Sequence, residues 1–168
     1  MSLLVHADLL KAHLSTVSGL EGVAVHVDRK FDIRELAVAE LGKKSAGAFV
    51  SISLGGWTPL NEDGGPGEYW ATLRYEISIA TMPHLLDALE MPEFDTILRR
   101  LVVAIQGWRP PGAKAAYCPE MRWSVGPGSY VPDDDFLVYL FPATVGEDFA
   151  DPTVIEDDDE EEDEDPEP

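Results

Sequence analysis

Four histidines, one cysteine and two acidic runs are the residues of this chain whose types invite a chemical reading. His6 and His13 stand seven positions apart in "VHADLLKAHL", close to two helical turns, so they can share one side of a helix. A zinc site there would need a carboxylate or thiolate at ligand spacing, and none accompanies them. His26 and His84 are scattered. Asp133-Asp134-Asp135 offers oxygen ligands, but without the alternation and glycine of a loop that wraps calcium; it reads as a solvated turn. Cys118 lies beside Pro119 with no base near it in sequence, which fits an incidental thiol and not a nucleophile. The glycine runs "GGPG" and "GPG" lack the lysine and the strand–loop–helix context that cradle phosphate, and they read as turns. Neither a GxSxG elbow nor an HExxH run occurs. No catalytic, cofactor-binding or metal-ligating residue is expected, and the chain reads as a non-enzyme without a cofactor.

Charge narrows the partners. The formal net charge of -20 is concentrated at one end: residues 156–168, "EDDDEEEDEDPEP", carry 11 acids and no base, while the rest of the chain balances at -9. Lys43-Lys44 and Arg99-Arg100 are isolated pairs, so the basic footprint of a sequence-specific nucleic-acid binder is missing. A lone cysteine gives no disulfide framework. The opening "MSLLVHADLLKAHL" has no basic region or cleavage site of a signal peptide, and no run approaches the length of a spanning helix. The expectation is a soluble protein made in a cytosol, with no membrane partner.

The elements that must position these side chains follow from periodicity. Leu3, Ala7, Leu10 and Leu14 mark one helix face, with Ser2 as N-cap and Ser18-Gly19 as stop. "GVAVHV" alternates as a short strand. "FDIRELAVAELG" predicts a second helix, with Asp32 and Glu35 in a capping-box arrangement, Ile33, Ala37 and Leu41 as its stripe and Gly42 at its end. "AFVSISLGGW" alternates Val50, Ile52 and Leu54 against Phe49, Ser51 and Ser53. "YWATLRYEISIAT" sets Tyr69, Ala71, Leu73, Tyr75, Ile77 and Ile79 against a wet face. These two runs are expected to pair antiparallel across the loop at 58–68. Phe94, Ile97, Leu98, Leu101, Val102, Ile105 and Trp108 form the widest apolar helix face. Gly107 fits a left-handed position after that helix, and Pro110-Pro111 stop it. "EMRWSV" and "DFLVYLFPATV" predict a second antiparallel pair joined by "GPGSYVPDDD".

This order defines an α+β fold: a mostly antiparallel sheet of four to five strands with helices packed on one face. One domain is expected over 1–145, followed by a disordered acidic tail over 146–168, where like charges repel and nothing is available to bury.

The tryptophans remain. Trp123 alternates inward with Met121 and Val125 and belongs to a core. Trp57, Tyr69 and Trp70 flank the 58–68 loop, and Trp70 falls on the wet side of its strand, to be covered by a helix or by a partner. Trp108 reads more as core than as contact.

In element order and in three short motifs, the chain resembles the tail terminator, or tail-completion, proteins of long-tailed bacteriophages, especially Mu-like ones. The motifs are "VAIQGWRPPG", a helix ending at a proline stop; "FLVYLFPATV", an aromatic final strand; and "DLLKAHLSTVSGL" leading to "AFVSISLGGW". The resemblance covers about residues 3–145, and the acidic tail lies outside it. It implies a structural virion protein without enzymatic activity. Such proteins form a ring, usually a hexamer, on the last ring of the tail tube, stop its polymerisation and offer the head-joining surface. The implied partners are copies of the chain, the tail tube protein and head–tail connector proteins. The implied location is the head-proximal end of the tail in the virion, and the host cytoplasm before assembly. In that reading Trp57, Tyr69, Trp70, Trp108 and Arg109 become expected assembly contacts. The alternative is an acidic, host-directed binding module, either a DNA mimic or a binder of a basic partner.

Overall fold

The computed structural model of the chain describes residues 5–28, 33–59, 70–111 and 122–148. Helix α1 (Val5–Leu14) buries Ala7, Leu10 and Leu14, the face expected from their spacing. Ser15 Oγ and Thr16 Oγ1 donate to the carbonyls of Lys11 and His13, each a second hydrogen bond beside the one from the same residue's backbone N–H. Strand β1 (Val23–Asp28) leads to α2 (Ile33–Leu41), which buries Ala37 and Leu41. Strands β2 (Ala48–Pro59) and β3 (Trp70–Thr81) pair antiparallel from Ala48↔Thr81 to Pro59↔Ala71. Helix α3 (Pro83–Ala88) has six residues, with proline in its first turn, where a missing N–H costs nothing. Helix α4 (Phe94–Ile105) buries Phe94, Ile97, Leu101 and Ile105 at helical spacing. Strands β4 (Ser124–Val125), β5 (Ser129–Val131) and β6 (Leu137–Asp148) complete the order.

The sheet runs β1-β2-β3-β6-β4, with β5 also on the outer side of β6. All pairs are antiparallel except β1–β2, where α2 supplies the crossover that parallel neighbours require. The α+β class and the mostly antiparallel sheet agree with expectation, as do both antiparallel pairs.

Several particulars differ. The sheet has six strands, because Ser129–Val131, within a segment expected to be turn, reaches back to pair with Val138–Leu140. The helices do not all lie on one face. Val50, Ile52, Leu73, Tyr75, Ile77, Ile79, Phe141 and Val145 join α1 and α4 in one core. Phe49 and Ala80, their alternating neighbours, join Ala37 and Leu41 of α2 in a second core on the opposite side. The expected wet face is therefore partly covered: Ser51, Ser53 and Ser78 are buried. Strand β6 continues beyond Val145 to Asp148, opposite Trp70, so the ladder claims residues assigned to the acidic tail. The rest of that tail, Leu3 and the Asp32 cap lie outside the described residues.

Candidate functional site

The sheet register gathers the tryptophans at one end of the molecule. One extra residue in β2 shifts its register between Leu54 and Gly56. Without it, Trp57 would alternate with Phe49, Ser51 and Ser53 towards α2. With it, Trp57 stands opposite Leu73, on the side of α1 and α4. Leu73 pairs in turn with Val145, and Ser124↔Thr144 sets Trp123 beside that position. The row therefore reads Trp57, Leu73, Val145, Trp123 across four strands. Its middle is fully buried, while Trp57 at its end is 54% exposed.

Trp108 joins this row through the backbone. After α4, Gly107 adopts φ +77, and its N–H donates to Trp123 O (2.8 Å) while Trp123 N–H donates to Trp108 O (2.9 Å). The Trp108 ring stacks on His13 of α1, with centroids 4.3 Å apart and planes 8° from parallel. His13 Nε2 also lies 3.0 Å from Ala104 O. "QGWRPP" is thus a helix stop that also clamps α1 and the approach to β4. Trp108 belongs to the packing, as its periodicity suggested.

His6, on the same helix, contacts Glu147 of β6 through Nε2. The two histidines that could have shared a metal instead fasten the two ends of α1. Nearby, Tyr75 is buried against Trp123, ring centroids 5.0 Å apart. Burial pushes its hydroxyl well above the ordinary tyrosine range, and the negative charges of Glu147 and Asp8 push in the same direction.

Of the five expected contacts, Trp57 is displayed, Trp108 is half-buried against His13, and Arg109 is half-buried and not free. Trp70 opens β3 opposite Asp148, at the same end of the sheet; its side chain and Tyr69 lie outside the description. The same face of the sheet carries, towards the other end of β6, a second aromatic group that sequence reasoning missed. Tyr130 packs edge-on against Tyr139 and near Phe94, and its hydroxyl donates to Asp95 (2.9 Å), which raises its pKa. Tyr130 and Val131 remain exposed on β5. The signal was the adjacent β-prone pair Tyr130-Val131, hidden by the surrounding turn residues.

The acidic run resolves as a structural turn. Asp133 Oδ1 accepts from the N–H groups of Asp135 and Phe136, and Arg34 of α2 pairs with Asp133 and Asp135. Among the described residues, no group of three or more His, Cys, Asp or Glu side chains is placed to hold a metal ion, and no helix is long and apolar enough to cross a membrane.

One pocket of about 320 Å³ opens beside the helix stop, lined by Thr72, Gln106, Gly107, Arg122, Ser124 and Thr144, with Trp123 and Val145 behind. Sequence reading gave Gly107 and Trp123 structural roles only and named none of the polar lining residues, because the lining comes from four separate segments. No protein-family model and no curated protein matches the chain.

Proposed function

We propose that this chain is a structural assembly protein of the tail-terminator kind, which forms a ring by head-to-tail contact of identical subunits and caps a tail tube. The observation that carries the reading is the pair of unlike terminal strands. One side of the sheet ends in β1, parallel to its neighbour; the other ends in the short β4 and β5, with Tyr130 and Val131 exposed. A ring needs two different surfaces on each subunit that meet heterologously, and strand edges supply unpaired backbone groups for this. The arrangement of α1, the central β2-β3-β6 sheet and the covering α4 also fits what the family resemblance implies. In this reading Trp57, at the end of the sheet where β2 and β3 begin their connection, is the anchor for the tube or a neighbour. Partner identities rest on the resemblance.

The test is the mass in solution by light scattering across a wide concentration range, for the wild-type chain and for Trp57→Ser and Tyr130→Ser. A discrete ring-sized species, lost in Tyr130→Ser, is expected. A monomer at every concentration would remove the self-association on which the reading rests. It would turn attention to the acidic-module alternative.

A further inference from the structure

The pocket beside the helix stop differs in character from the chain that builds it. The sequence holds 32 acids and 12 bases, yet the pocket lining contains an arginine and no carboxylate. It is rich in donors: the Arg122 guanidinium, the hydroxyls of Thr72, Ser124 and Thr144, and the Gln106 amide. Gln106 Oε1 already accepts from Val125 N–H (2.8 Å), which leaves its NH₂ group to serve a ligand. A second arginine, Arg74, stands opposite Thr144 in the β3–β6 ladder, so it shares the face of Thr144 and Ser124. Such a set of donors fits a carboxylate, which accepts at two oxygens and matches the arginine fork.

We propose that this pocket binds carboxylates of the chain's own acidic run at 156–165. The connection is short. Strand β6 carries the chain from Thr144, in the pocket wall, to Asp148. To return, the chain must cover roughly 13 Å, four residues of strand. The segment from Asp148 to Glu156 spans up to about 26 Å when extended. The tether gives the run a high local concentration, so modest affinity is enough to fill the site. Ten consecutive acids at 156–165 offer many interchangeable ligands to one pocket. The tail then acts as a removable plug, which a basic partner surface competes away. This site is independent of the assembly reading and stands or falls separately.

The test uses the full chain in two forms, wild type and one whose acids at 156–165 are replaced by Asn and Gln, compared by amide NMR. At low salt the amides of Gln106, Gly107, Ser124 and Thr144 should differ between the two forms, while those of Val38 and Val103 coincide. About 0.5 M salt should bring the wild-type pocket signals to the neutral-tail positions by screening. Arg122→Gln, an exposed change, should lower occupancy about tenfold and do the same at low salt. Identical pocket signals in both forms would overturn the proposal, as would differences spread over the whole surface or unmoved by Arg122→Gln. Added inorganic phosphate is the control for source. If it shifts the pocket amides of the neutral-tail chain while the wild-type tail leaves them unmoved, the pocket takes a free anion and the tail is not its occupant.

Discussion

Gly107 offers a clean perturbation, because its cost should be conformational alone. It sits at φ +77 after α4, and a Cβ built there meets nothing within 4 Å. Gly107→Ala therefore introduces no clash, only a side chain in the left-handed region, worth about 1–2 kcal/mol against folding. Alanine also narrows the unfolded ensemble, which returns about 0.4–1 kcal/mol. The net loss should be about 1 kcal/mol. With roughly 2.1 cal/mol/K of unfolding entropy per residue over 120 described residues, that is about 4 °C in Tm. Urea unfolding should show a lower midpoint at an unchanged slope, since the surface exposed on unfolding stays the same. Gly107→Asn should lose less than alanine does, because asparagine tolerates this backbone. An alanine variant with unaltered Tm would refute the reasoning, and so would asparagine costing as much as alanine. A loss above about 3 kcal/mol would show that Gly107 meets atoms the structure does not place there.

Two other predictions rest on different physics. At Gly128 an added Cβ would lie 2.6 Å from the Leu140 carbonyl oxygen and 2.7 Å from Phe141 Cβ, so Gly128→Ala should cost about 1–3 kcal/mol by overpacking, measured by the same urea titration; a neutral result would reject the β5–β6 register. Tyr75, with its pKa raised in the fold above the ordinary 10.0, contributes stability that is fully present below pH 10 and is lost as pH climbs towards the folded value. In an absorbance titration its phenolate should appear only together with loss of the near-ultraviolet circular dichroism of the core, and Tyr75→Phe should abolish that coupled step; persistence of the step in the variant would assign it elsewhere.

What could be read in advance was whatever one strong period controls. The stripe Phe94, Ile97, Leu101, Ile105 stayed on one face because α4 buries one face only. Val50 and Ile52 held their alternation for the same reason. Ser51, Ser53 and Ser78 misled, since small hydroxyl residues pack beneath α2 as readily as they face water. The side that Trp57 faces was out of reach, because a one-residue bulge reverses it and nothing in "SLGGW" says which glycine is the extra one. Strand β5 was hidden by its length, three residues held by β6 more than by their own preference. The pocket had no linear signature at all: Thr72 and Ser124 become neighbours only once β6 lies between their strands.

The contact between His6 and Glu147 ties a residue near the start of the described chain to one near its finish. Topologically the domain is almost a closed loop, with entry and exit at a single corner. A probe attached at Val5 and one attached at Asp148 would therefore report on the same surroundings. The opposite end of β6, where Arg34 holds the Asp133–Asp135 turn, stands clear of that corner.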